Sequence, residues 1–179
     1  MSKPYQKGLD YGLVSGVAVS DPVAMANILK DGKRPLLVVG SQSLETKVGD
    51  KTQLEVLLAL AKALECPVVA TGHVHKAIVE SGFPAEKVTI FNVMNLTDRL
   101  KDHGWKGLDG EGPYDVVVFG GHLVYHLAQM LSTLINFAYD VPLKTVCLDP
   151  YHQPNARFFL PNLDAGDYRA YLEALLQNL

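Results

Sequence analysis

A chain of 179 residues with 48% hydrophobic and 20% charged residues holds enough apolar material for one cored domain and has the composition of a globular protein. Sixteen basic against nineteen acidic residues leave a net charge of −3 with no cationic run, which argues against a nucleic-acid or anionic-membrane footprint. The two cysteines, Cys66 and Cys147, are too few for a disulfide scaffold or a four-thiolate iron–sulfur centre, and both lie in or beside apolar strands.

In chain order, residues 1–19 carry Gly8, Gly12 and Gly16 without a period and are expected to form an arm on the body or on a partner; residues 20–179 read as one domain. No signal-peptide apolar region follows the N-terminus, so a cytoplasmic protein is expected. Ser20-Asp21-Pro22 is a helix start, and Asp31-Gly32 is the stop after Lys30. Arg34 to Val39 is a strand buried on both faces, and Gly40-Ser41-Gln42-Ser43 follows as a small polar turn. Leu54, Leu57, Leu58, Ala61 and Leu64 put one wide apolar face on a helix over 51–65. Val68 to Ala70 is the next strand, ending in Thr71-Gly72-His73, with a short helix from Lys76 to Gly82. Val88 to Phe91 is a short strand and Leu96 to Asp102 a short helix. A glycine-rich loop over 104–112 leads to the strand Val116 to Phe119, the turn Gly120-Gly121-His122 and a long helix to about Tyr139. The strand Lys144 to Leu148 ends in Asp149-Pro150; 150–166 is expected to be extended, and Asp167 to Leu176 closes the chain as a helix.

Val116 to Tyr139 contains no charged residue and matches a membrane span in length, but Gly120-Gly121 divides it into a strand and a helix with several polar interruptions. Alternating strands and helices predict an α/β fold: a three-layer, Rossmann-like domain with a parallel sheet. Gly40, Ser41, Gln42, Thr71, Gly72, His73, Gly120, Gly121, His122 and Asp149 then fall at the carboxyl edge of that sheet, where ligands sit in such folds. Backbone N–H groups there could cradle a phosphate, which makes these ten residues candidates for binding a flavin or nucleotide. Small residues at strand ends are equally what tight turns require. Gly40 is not part of G-x-G-x-x-G, and Thr71 stands where a dinucleotide site places its ribose-binding carboxylate.

His73 and His75, with His122 and His126, have no carboxylate or cysteine at ligand spacing, so hydrogen bonding is the expected role and no metal site is assigned. There is no G-x-S-x-G, and Asp115 and Asp149 read as strand-end caps, so no catalytic residue is assigned. On the long helix, His122, His126, Gln129, Thr133 and Asn136 form an uncharged polar stripe. A solvent-facing helix normally carries charge, so part of this face is expected to meet another subunit.

Three segments in order carry a resemblance: Arg34-Pro35-Leu36-Leu37-Val38-Val39-Gly40-Ser41, Trp105-Lys106-Gly107-Leu108-Asp109-Gly110 with Tyr114-Asp115, and Tyr151-His152-Gln153-Pro154-Asn155-Ala156 with Pro161-Asn162-Leu163. Together they resemble the epsilon subunit of the archaeal acetyl-CoA decarbonylase/synthase complex over nearly the whole chain. The resemblance implies a non-catalytic small subunit bound to the large alpha subunit of carbon monoxide dehydrogenase, which holds nickel and iron–sulfur clusters, two of each. It further implies a part in stabilising that assembly or in passing electrons from CO oxidation to FAD. Residues 34–82 are also similar to the FAD/NAD-binding-like central domain of thiamine-diphosphate enzymes, an echo of fold alone. A stand-alone flavin- or nucleotide-binding module is the alternative.

Overall fold

The computed structural model describes residues 14–138 and 140–179. Its sheet grows from β2 (Pro35–Val39), in which Leu36 to Val39 are completely buried. A branched or long apolar run of this kind fits only a strand covered on both faces, and each side chain so buried contributes about 1.5–3 kcal/mol. On one side β2 pairs with β5 (Val68–Ala70), which pairs with β6 (Val88–Ile90). On the other it pairs with β7 (Val116–Gly120), followed outward by β8 (Lys144–Cys147), β9 (Phe158–Phe159) and β1 (Val17–Ala18). Every pairing is parallel.

Helices α1 (Pro22–Lys30), α2 (Gln53–Ala63), α3 (Val74–Glu80) and α6 (Ala165–Gln177) pack on one face of the sheet. Helices α4 (Val93–Leu100) and α5 (Val124–Phe137) cover the other. This is the expected three-layer α/β architecture. Local chemistry sets the helix starts. Asp21 accepts the Val23 N–H ahead of Pro22, and Thr52 with Glu55 closes a reciprocal capping box on α2. Asn92 caps α4, which therefore begins three residues earlier than the apolar period alone suggests. A small antiparallel hairpin, β3 (Lys47–Val48) and β4 (Lys51–Thr52), turns at Gly49, whose φ of +62° favours glycine.

Two stretches differ from expectation. The extended segment 150–166 contains the parallel strand β9, and Val17–Ala18 of the expected arm is the outermost strand of the sheet. The rest of that arm, residues 1–13, lies outside the described residues. Among the described residues no helix is long and apolar enough to cross a membrane.

The topology locates the sensitive edge. From β2 the chain passes through α2 to β5 in one direction, whereas from β7 it passes through α5, on the opposite face, to β8 in the other. The strand order therefore reverses between β2 and β7, and the carboxyl ends of these two neighbours define the switch point.

Candidate functional site

At the switch point the two strand-end turns are bonded to each other. The Gly40 N–H donates to the Gly120 carbonyl at 2.9 Å, and the Gln42 N–H to the Gly121 carbonyl at 2.8 Å. The Ser43 hydroxyl donates back to the Gly40 carbonyl at 2.6 Å. A Cβ on Gly40 would run into the Gly121 carbonyl and lie 2.7 Å from His122 Nδ1. Gly121, at φ +74°, would bring its own Cβ within 2.6 Å of the Ser43 nitrogen. These glycines are needed for the close approach of two backbones.

Beneath this contact lies Asp149, 4% exposed. One carboxylate oxygen accepts the Gly121 N–H at 2.7 Å and the Gln53 side-chain amide at 2.7 Å; the other faces the His122 N–H at 3.5 Å. The same amide donates to the Tyr168 hydroxyl at 2.7 Å, which donates to the Leu148 carbonyl at 2.8 Å. Burial pushes the Asp149 carboxyl above its ordinary range, and the bonds from Gly121, Gln53 and His122 pull it back part of the way. His122 is buried beside it. Its Nε2 meets the Val38 carbonyl at 3.3 Å, which assigns the ring proton to Nε2, and burial lowers its pKa to about 4. Burial also raises both thiols, Cys66 to about 11 and Cys147 well above its usual value, so neither is a thiolate nucleophile or a ready metal ligand.

An open cleft of about 390 Å³ sits next to the plugged switch point. The strand-end turns Gly40-Ser41 and Thr71-Gly72-His73 lie between two walls, Ile90 to Val93 on one side and His122, Leu123 and His126 on the other. Six of the ten candidates at the strand ends thus line one cleft. Gly120, Gly121 and Asp149 are buried below it, and Gln42 is turned into the Gly121 contact. Thr71 is tied down by a 2.8 Å bond from its hydroxyl to the Val39 carbonyl. Among the described residues no group of three His, Cys, Asp or Glu side chains is arranged to hold a metal ion. The β6–α4 wall and the Gln53–Tyr168 partners of Asp149 were not foreseen. Thr52-x-x-Glu55 signals that Gln53 opens a helix, but no local pattern says which strand end that helix meets.

The outward face of α5 carries the polar stripe. His126 and Gln129 are exposed, Thr133 and Asn136 half-buried, and only His122 is buried. Leu123 at the N-cap of this helix and Tyr125 and Phe137 on it are 62%, 60% and 66% exposed. Ile90 and Met94, 58% and 52% exposed, continue the apolar surface past the cleft mouth. Leu127, Leu131 and Leu134 point inward and are buried in the domain's own core. The Thr133 hydroxyl and the Asn136 amide donate to carbonyls of their own helix, at 3.0 and 2.8 Å. Both are satisfied before any partner arrives.

All three segments that carry the resemblance have structural positions. Arg34 clasps the glycine-rich loop at the amino edge of the sheet, bonding Asp109 at 2.7 and 3.0 Å and lying over the Tyr114 ring at 5.3 Å. Near the tail, Gln153 and Asn155 donate to the Val124 and Ala128 carbonyls and seat α5.

Fold and site together define a doubly wound, Rossmann-like α/β domain whose switch point is filled by its own side chains, with an uncharged helix face and an open cleft beside it. Comparison with known proteins places it more closely. The chain belongs to the family described as CO dehydrogenase beta subunit/acetyl-CoA synthase epsilon subunit, which matches residues 8–176. It is 36% identical over 160 residues to the acetyl-CoA decarbonylase/synthase complex subunit epsilon 1 of Archaeoglobus fulgidus, covering 88% of this chain and 82% of the relative. To the subunit epsilon of Methanothermobacter thermautotrophicus it is 33% identical over 172 residues, covering 96% and 93%. To that of Methanothrix soehngenii it is 37% identical over 158 residues, covering 87% and 80%.

Proposed function

We propose that this chain is a non-catalytic subunit of an acetyl-CoA decarbonylase/synthase complex, docking through the outward face of α5 onto the large carbon monoxide dehydrogenase subunit that carries the nickel and iron–sulfur clusters. The observation that carries this reading is the α5 surface: a helix without one charged residue, presenting Leu123, Tyr125 and Phe137 to solvent. Covering such a face buries no Asp, Glu, Lys or Arg, and the Thr133 hydroxyl and the Asn136 amide already donate within the helix, so apolar burial is gained at a reduced polar penalty. The role is to add surface and stability to the redox subunit.

Leu123→Asp and Phe137→Asp are expected to abolish co-purification of the large subunit in a native pull-down while shifting the melting free energy of the isolated chain by no more than about 0.5 kcal/mol. Leu127→Asp is the contrast. At 1% exposure it will unfold the domain rather than report on docking. A Leu123→Asp, Phe137→Asp double variant that still brings down an undiminished large subunit removes α5 from the interface.

Electron transfer to FAD enters this reading if the cleft holds the flavin. Phe91 and the strand-end turns favour that possibility, while among the described lining residues there is no Lys or Arg to face a diphosphate. Fluorescence titration of the isolated chain with FAD and calorimetry with ADP are expected to show no saturation at millimolar ligand. A saturable signal that His73→Ala or His126→Ala weakens would instead make the cleft a nucleotide site.

A further inference from the structure

The turn after β7 has the form of a phosphate cradle. A buried strand ends in Gly120-Gly121-His122, Gly121 adopts φ +74°, and the uncapped start of α5 follows. In ligand-binding switch points the N–H groups of such a turn point at an anion. Here they point at Asp149. Its carboxylate, reached from the end of the neighbouring strand, takes the Gly121 N–H and the Gln53 amide at 2.7 Å each, with the His122 N–H at 3.5 Å. Gln53 is fully buried and Asp149 nearly so, so solvent and soluble ligands do not reach this pair. The bonds join four elements: the β7 turn, the end of β8, the first residue of α2 through Gln53, and α6 through Tyr168.

We propose that Asp149 is a built-in occupant of the switch point, a side-chain carboxylate in the place of a ligand's anionic group, which closes that site to external anions and holds the turn in its ligand-bound shape without a ligand. The scaffold beside the cleft is therefore preorganised at all times, and an external anion binds at the turn only when the carboxylate is removed. The inference stands apart from how the chain docks.

The test is chemical rescue in the full-length chain. Asp149→Ala leaves a pocket the size of a carboxyl group with the Gly121 N–H and the Gln53 amide facing it. Formate, against chloride at equal ionic strength, is expected to raise the melting temperature of this variant by about 5 °C or more and to leave the wild type within about 1 °C. Asp149→Asn fills the space and keeps an acceptor, so it is expected to show no formate response. If Asp149→Ala is too unstable to melt cooperatively, its refolding yield from urea in formate against chloride is read instead, with recovery expected in formate only. Equal formate effects on all three proteins, or no formate effect on melting or refolding of Asp149→Ala, overturn the proposal.

Discussion

Acidification from about pH 6.5 to about 4 will remove on the order of 3 kcal/mol of stability through His122 alone. Burial holds its pKa at about 4 against an ordinary value of 6.5, with His126 adding a smaller push in the same direction and the Val38 carbonyl opposing both. The unfolded chain takes up this proton near 6.5 and the folded chain does so only near 4. The contribution is therefore complete above 6.5, declines as pH falls through this window, and is gone below it. Asp149 works with the opposite sign. Its carboxyl is raised by burial, so its contribution is present at low pH and lost as pH rises through the folded value. The two are separated by His122→Gln, which has no proton to gain in this range. In urea unfolding at several pH values, the wild-type curve is expected to fall relative to that variant as the solution is acidified. Parallel curves across the window would mean that His122 takes up its proton in the fold at the same pH as in the unfolded chain.

Gly40→Ala should cost about 3 kcal/mol, at the upper end for one added methyl group. The reason is space, not backbone conformation. Gly40 has φ −98°, open to any residue, but its Cβ would collide with the Gly121 carbonyl and approach the His122 ring to 2.7 Å. Neither neighbour yields easily, because the β2–β7 ladder and the Asp149 bonds hold the Gly121 turn from both sides. Gly82→Ala is the matched control. It has φ +75° and nothing within 4 Å of its Cβ, so it carries only left-handed strain of about 1–2 kcal/mol. Urea midpoints of the two variants measure the difference, and a Gly40→Ala protein as stable as Gly82→Ala would show that the two turns are not packed as tightly as described.

Both effects arise at the switch point, which carries a close backbone contact together with two buried ionisable groups, His122 and Asp149. That concentration also bears on function. The switch point is sealed by Asp149 and Gln53, and the adjoining cleft and the α5 face lie open beside it. Further along α5, the tail residues Gln153 and Asn155 hold the helix from behind, through its carbonyls, and leave its outer side uncovered. Gln153 and Asn155, from the tail that carries the resemblance, thus support α5, whereas Gly40 and Ser41 of its first segment line the cleft.

The amino-acid order alone determined a good deal. The doubly buried run Leu36 to Val39, the Asp21-Pro22 helix start and the glycines ending three strands specify a parallel α/β sheet with small residues at its carboxyl edge, because burial on two faces, helix capping and tight turns are local demands met by local residues. The charge-free character of α5 was equally legible. Only the tertiary structure decided that β7 lies next to β2, that Ile90 to Val93 wall the cleft, and that Leu123 and Phe137 face outward while Leu127 faces in. It also decided that Asp149 is not a cleft residue but a buried acceptor for Gln53, a partner 96 residues away. Hydrophobic period says that a residue is buried. Which strand it is buried against depends on contacts between distant segments, and those form only when the whole sheet closes.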